Sequence, residues 1–107
     1  MSAAMIYITA GSRDEAEKLA EMLVESRLAA CANIIDGMNS VFWWDGKLDH
    51  ARETVLIAKT RQSLVDRLTQ AVLDHHGYDC PCVVALPIFG GNPEYLAWIE
   101  KETREAD

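Results

Sequence analysis

The architecture of the chain is set between residues 30 and 58, which read ACANIIDGMNSVFWWDGKLDHARETVLIA. Two extended apolar segments flank Asp45-Gly46, a dipeptide that favours a two-residue type I′ turn because both turn positions need positive φ. The arms of this predicted β-hairpin are about twice the usual strand length of five or six residues. A chain of 107 residues has too little body to cover both faces of such a hairpin. The aromatic residues at the tip of the hairpin therefore indicate that copies of the chain associate and cover this surface.

Strands and helices alternate on either side of the hairpin. Before it, residues 5–9 predict a strand, and the pattern Ser12-Arg13-Asp14-Glu15 predicts a helix N-terminus at which the Ser12 hydroxyl and the Glu15 carboxylate bond free amides. After it, apolar spacing predicts a helix over 64–75, a strand over 83–86 and a closing helix after Asn92-Pro93. The order βαββαβ plus a C-terminal helix predicts one α+β domain over residues 1–107, with an antiparallel sheet and both long helices on one face.

Charge and composition exclude several classes of partner. The formal charge is −7, from 17 acidic and 10 basic residues, which argues against nucleic-acid binding and against an anionic membrane surface. The first apolar segment has no basic residues before it and is too short for a signal peptide or a membrane span, so we expect a cytoplasmic protein. Thiols stay reduced there, so we expect Cys31, Cys80 and Cys82 to be free thiols or ligands.

The densest group of possible metal ligands lies at the end of the second predicted helix and consists of His75, His76, Asp79, Cys80 and Cys82. Imidazole and thiolate together suit copper or zinc, because borderline and soft cations prefer nitrogen and sulfur donors. Cys80 and Cys82 share one side of the chain if the segment is extended. The alternative is structural: histidines at a helix C-terminus interact with the helix dipole, and strand cysteines pack as small hydrophobic residues.

The adjacent indoles Trp43 and Trp44 point to opposite faces of the hairpin if both lie in a strand. One can then pack on its own chain and the other on a neighbour, because indoles carry large apolar area and are enriched at interfaces. Stacking on nucleotide bases is the alternative, but the chain lacks the basic groove that accompanies it. We therefore expect Trp43 and Trp44 at an interface between copies of the chain.

A second polar group consists of Glu53, Lys59, Tyr78 and Trp98. Glu53 and Lys59 are an even number of residues apart, so they share one face of a regular strand. With Tyr78 and Trp98 they could form a cleft, within a chain or between subunits, that accepts a small anion. The alternative is an ordinary surface ion pair.

Evidence for catalysis is weak. Cys31 has no local base to activate its thiol, so we expect it to pack in an apolar strand. The sequence has no zinc-protease motif, Ser-His-Asp pattern or glycine-rich phosphate loop. We expect a protein that is not an enzyme.

Four segments in the order of the chain carry a family resemblance: RLAACANI at 27–34, SVFWWDGK at 40–47, HGYDCP at 76–81 and GNPEYLAWI at 91–99. Together they resemble the CutA family, the divalent-cation tolerance proteins. The resemblance implies a ferredoxin-like fold, a tight homotrimer, binding of copper and other divalent cations, and a role in the response to metal ions. A trimeric sensor module that holds small molecules or anions in clefts between subunits is the alternative function.

Three positions depart from the pattern of the family. Gly77 stands where the family has proline and predicts a looser loop, and Asp79 replaces a glutamate and shortens the carboxylate. Ile8 aligns with a cysteine that is associated with copper in some members, so that ligand is absent from this chain.

Overall fold

The computed structural model describes residues 2–105, which form four strands, three α-helices and a 3₁₀ turn. In chain order the elements are β1 (Ala3–Ala10), α1 (Arg13–Glu25), β2 (Cys31–Trp44), β3 (Lys47–Arg61), the 3₁₀ turn (Gln62–Leu64), α2 (Val65–His75), β4 (Val83–Ile88) and α3 (Pro93–Glu102). The predicted α+β class and the predicted order of elements are confirmed. No helix in this part of the chain is long and apolar enough to cross a membrane.

All four strands lie in one antiparallel sheet with the order β2-β3-β1-β4. The central pair, β1 and β3, aligns Ile6 with Ala58 and Ile8 with Leu56. β4 is an edge strand, and this explains how it accommodates Pro87, which has no N–H to donate to a neighbouring strand.

The helices divide between the two faces of the sheet. α1 and α2 cover one face, where Ile6, Ile8 and Leu56 are fully buried. α3 packs near one end of the opposite face, since its Ile99 clusters with Ala3, which alternates with the residues that face α1 and α2. The prediction that both long helices share a face agrees with this arrangement.

The central hairpin is as long as the sequence predicts, with 14 residues in β2 and 15 in β3. Asp45 and Gly46 have φ of 51° and 76°, the positive values that the predicted turn requires. A bulge interrupts the pairing between Ile35 and Met38, and Gly37 within it has φ of 78°. The arm makes the chain elongated, with extents of 44 × 26 × 22 Å.

The capping prediction for α1 is correct for the Ser12 hydroxyl and wrong for the Glu15 carboxylate. The Ser12 Oγ accepts from the Glu15 amide at 3.1 Å, as expected. The Glu15 carboxylate instead accepts from the amide of Gly11 at 2.9 Å and from the amide of Gly77 at 2.8 Å. Glu15 therefore ties the start of α1 to the loop that follows α2.

Candidate functional site

A groove of about 500 Å³ lies between the outer part of the hairpin and the loop from α2 to β4. Its lining residues are Thr9, Phe42, Trp44, Asp49, Ala51, Glu53, Gly77, Tyr78, Asp79, Cys80 and Cys82. The hairpin contributes alternate residues, because side chains two apart on a strand share a face. The register pairs Phe42 with Asp49 across the two strands, which places an aromatic ring beside a carboxylate.

The phenol of Tyr78 orients the carboxylate of Glu53. The Tyr78 hydroxyl donates to Glu53 Oε2 at 2.9 Å. Burial, followed by the hydrogen bond to Glu53 and the charge of that group, raises the pKa of Tyr78 to about 12. The phenol is therefore protonated at neutral pH and keeps donating to Glu53. Gly11 makes room for the ring, since a Cβ there would lie 3.2 Å from Tyr78 Cε1.

The loop that carries Tyr78 is held to α1 through Gly77. Its amide donates to Glu15, a bond that the proline of the family pattern could not make because proline has no N–H. Burial raises the pKa of Glu15, but the hydrogen bonds from the Gly11 and Gly77 amides, together with a smaller electrostatic contribution from the neighbouring His76 ring, outweigh it, so the pKa lies below its usual value. This hydrogen bond offsets part of the conformational freedom that glycine brings, and the looser loop stays a prediction.

The two predicted histidine ligands differ sharply in their surroundings. The His76 side chain is fully buried, with Nε2 2.7 Å from the carbonyl oxygen of Thr9 and Nδ1 accepting from the Tyr78 amide at 3.1 Å. Both ring nitrogens are thus engaged by the backbone in this chain, and the assignment of His76 as a metal ligand stays a prediction. His75 is exposed and uses Nδ1 towards the Ala71 carbonyl at 2.8 Å, which leaves its Nε2 for other partners.

The other three predicted ligands, Asp79, Cys80 and Cys82, all line the groove. Both cysteines are free thiols, as expected, with Cys80 exposed and Cys82 partly buried. Within residues 2–105, no group of three or more His, Cys, Asp or Glu side chains is placed to hold a metal ion. The assignment of Asp79, Cys80 and Cys82 as ligands stays a prediction.

The predicted anion cleft does not form within one chain. Glu53 and Tyr78 meet at the groove, but the Lys59 ammonium donates to the Asn33 side chain and lies outside it. Trp98 packs against Tyr95, with ring centroids 5.5 Å apart. Within one chain the four residues thus do not line a single cleft, and a cleft that they form between subunits stays a prediction.

The two indoles of the hairpin lie on opposite faces, as predicted. In the register, Trp43 pairs with Leu48 and Trp44 with Lys47. Trp44 lines the groove and is 52% exposed, whereas Trp43, on the other face, is 75% exposed. Their role in an interface stays a prediction.

The surroundings of the Cys31 side chain differ from the packing in an apolar strand that the sequence predicted. Cys31 is only partly buried, and its Sγ lies 3.4 Å from the hydroxyl of Tyr95 on α3. The contact with Cys31, followed by burial, raises the pKa of Tyr95 to about 12.

Sequence reasoning missed Phe42 and Asp49 as residues of the site. A usable signal was present, because a two-residue turn at Asp45-Gly46 fixes the pairing of the arms. Counting outward from that turn places Phe42 opposite Asp49 and leaves both on the face of Trp44.

Comparison with known proteins agrees with this fold. The family model described as CutA1 divalent ion tolerance protein matches residues 4–102. The chain belongs to the CutA1 family. A CutA1 relative, the divalent-cation tolerance protein CutA of Archaeoglobus fulgidus, is 45% identical over 96 residues, which cover 90% of this chain and 93% of that protein. The crystal structure of CutA1 from Oryza sativa superposes with a TM-score of 0.97 at 44% identity, covering 99% of this chain and 97% of that one.

CutA1 relatives differ in length and in the compartments that their names give. Protein CutA 1, chloroplastic, of Oryza sativa subsp. japonica is 46% identical over 102 residues. These residues are 95% of this chain but 58% of the rice protein, so the chain spans somewhat over half of that relative. The solved CutA structure from Archaeoglobus fulgidus is described as periplasmic.

Proposed function

We propose that this protein binds copper and other divalent cations as a homotrimer of ferredoxin-like protomers in the cytoplasm, and so serves in the response to metal ions. It is not an enzyme in this proposal. The observation that carries it is that Asp79, Cys80 and Cys82 all line one groove, in a chain of the divalent-ion tolerance family. Thiolates favour copper in its reduced state, which is the state expected in a reducing compartment.

The exposed apolar surface of the hairpin supports the trimer. Val41, Trp43 and Leu48 lie on one face of the arm, each more than half exposed. Monomeric soluble proteins rarely leave large contiguous apolar patches in water. Neighbouring chains that cover this face of the arm would remove its apolar surface from solvent.

Assembly would also supply ligands that one chain lacks. Copper(I) accepts few soft donors, and Cys80 and Cys82 flank Pro81 on a short loop at the groove. Asp79 precedes them, and His75, whose Nε2 makes no hydrogen bond within residues 2–105, lies at the end of α2. We assign Cys80 and Cys82 as the main ligands, with a further donor from a second chain.

Copper titration against a competing colorimetric chelator, under reducing conditions, tests this assignment. The double variant Cys80→Ser/Cys82→Ser should lose at least about tenfold in affinity, since removal of ligands costs no less than removal of their supporting groups. Cys31→Ser is the matched control and should bind as the unaltered protein does, because Cys31 is absent from the groove. Equal affinity in the double variant and the control would contradict the assignment, and His75→Ala then tests the remaining donor.

A small-molecule sensor is the second candidate function. It is favoured by one observation, the hydrogen bond between Tyr78 and Glu53 inside a groove of ligand size. A thermal-shift screen of nucleotides, organic anions and organic cations tests it. No stabilisation by any compound contradicts the candidate, while the copper titration reports separately on the metal function.

A further inference from the structure

We propose that the groove binds an organic ammonium ion, that is, a positively charged nitrogen carried on an apolar chain. The described residues that line the groove include three carboxylates, from Asp49, Glu53 and Asp79, and no Lys, Arg or His. A cleft lined by charges of one sign concentrates ions of the opposite sign. The groove therefore favours cations, and it repels the small anions that the sequence had suggested.

The aromatic residues of the groove favour organic ammonium ions over other cations. Phe42, Trp44 and Tyr78 all line the groove. Aromatic faces attract ammonium ions through the ring quadrupole, and such rings recognise alkylated ammonium groups in particular. The same faces bury the apolar chain that carries the charge. A hydrophobic cation thus gains from both kinds of lining residue, whereas a small inorganic ion gains from the carboxylates alone.

The carboxylates are better placed for an organic cation than for a metal ion. A metal needs several donors converging on one point, and residues 2–105 contain no such group of three. An ammonium ion needs only one or two separate acceptors for its N–H groups. The volume of about 500 Å³ is also far larger than a bare ion requires and suits a small organic molecule.

Glu53 is the best-prepared acceptor in the groove. Across residues 2–105, the one hydrogen bond to its carboxylate comes from the Tyr78 hydroxyl and occupies Oε2. Oε1 can therefore accept from an ammonium group, while Tyr78 keeps the carboxylate in place. This arrangement makes Glu53 the main contact for the charge and leaves Asp49, beside Phe42, as the second.

This inference rests on the sensor candidate and replaces its anion with a cation; it does not depend on metal. The test is calorimetric titration of the unaltered protein in low-salt buffer that contains EDTA, so that contaminating metals play no part. Three probes of equal chain length isolate the effect of charge: cadaverine, which is a linear diamine, and the corresponding diol and dicarboxylate. We expect only the diamine to bind, with affinity that falls as salt is added, because screening weakens charge attraction.

Each other result overturns the proposal. Equal binding of diamine and diol means that the groove recognises apolar chains without regard to charge. A preference for the dicarboxylate means that groups other than the described lining residues determine the electrostatic potential of the groove. Binding of none of the probes, with the particle mass unchanged, means that the groove is closed or filled in the assembled protein.

A pair of matched variants locates the binding. Glu53→Gln keeps the shape of the side chain and removes its charge, so the dissociation constant for the diamine should rise about fivefold, as expected for loss of one partly exposed ion pair. Glu21→Gln makes the same charge change on exposed α1, away from the groove, and should leave binding unchanged. If both variants weaken binding equally, the effect is non-specific and the proposed site is wrong. Should Glu53→Gln fail to fold, Asp49→Asn provides the same comparison.

Discussion

The two faces of the sheet differ in how much of their apolar surface the chain covers by itself. Under α1 and α2, Ile6, Ile8 and Leu56 are 0% exposed. On the opposite face of the hairpin, by contrast, Ile35 is 54% and Trp44 is 52% exposed. Burial of apolar area contributes about 25 cal/mol per Å², so the first face stabilises an isolated chain, whereas the second can contribute fully only when another molecule covers it. The fold of the protomer and its assembly therefore depend on different residues.

The largest effect on stability should come from the helix-covered face. Leu56→Ala removes a fully buried side chain on β3 between the sheet and the helices, and should lower the free energy of unfolding by about 2–5 kcal/mol through lost burial and a residual cavity. Urea denaturation followed by circular dichroism measures this. The comparison variant is Ile35→Ala, one residue from the strand partner of Leu56 but on the exposed face.

In a single chain Ile35→Ala should change stability by no more than about 0.5 kcal/mol, as exposed substitutions usually do. If sister chains cover the hairpin, its cost rises and depends on protein concentration. A small effect at every concentration would show that Ile35 stays exposed in the assembled protein.

The second prediction concerns the mass of the particle. The double variant Trp43→Ser/Trp44→Ser removes the two largest apolar side chains of the hairpin tip, which lie on its opposite faces. We expect light scattering to give about three times the chain mass of 11.9 kDa for the unaltered protein, and a single chain mass for the variant. Retention of the larger mass would mean that the assembly is held by other residues. A stable monomer before substitution would remove the trimer from the proposed function.

The sequence predicted the fold well because its signals were local. The Asp45-Gly46 turn, the Ser12 cap and the Asn92 cap each specify the chain within a few residues, and all three form as expected. The length of the hairpin could be predicted because no residues in either apolar segment are of a kind that ends a strand. Even Asp36-Gly37, which reads as a break, is accommodated as a bulge.

The site was predicted less well because its contacts join distant segments. Glu15 and Gly77 are 62 residues apart, and their hydrogen bond has no counterpart in the local pattern. The capping rule assigned the Glu15 carboxylate to its own helix, while the tertiary fold offered it a second amide at 2.8 Å. Likewise, burial of His76 against the Thr9 carbonyl could not be read from a pair of adjacent histidines. Residue type suggested ligands, but only packing showed which nitrogens were engaged.

The third prediction tests the hydrogen bonds of Glu15 across pH. Glu15→Gln keeps one acceptor oxygen and loses the charge, so we expect a loss of about 1.5 kcal/mol at neutral pH. The pKa of Glu15 is lowered in the folded protein, so its contribution is complete above the unfolded-state pKa and disappears as pH falls through the folded-state value. Urea titrations from neutral to acidic pH should therefore show the stabilities of the two proteins converging in acid.

Glu21→Gln is the matched control for that series, because Glu21 is exposed on the same helix and makes none of these contacts. A constant difference between the Glu15→Gln variant and the unaltered protein at every pH would show that shape, and not the charge of Glu15, stabilises the loop.

A smaller effect than that of Glu15→Gln should arise at the tip of the exposed arm. Gly46 has φ of 76°, and among residues 2–105 no atom lies within 4 Å of an added Cβ, so Gly46→Ala should cost about 1 kcal/mol through backbone strain alone. Gly46→Asn should cost less, because asparagine tolerates this conformation.

Gly11 presents the opposite case, since its Cβ would meet Tyr78 at 3.2 Å, so Gly11→Ala should disturb the groove and weaken diamine binding. If Gly46→Ala weakened binding as much as Gly11→Ala, the tip and the groove would not be the independent regions that their geometry indicates.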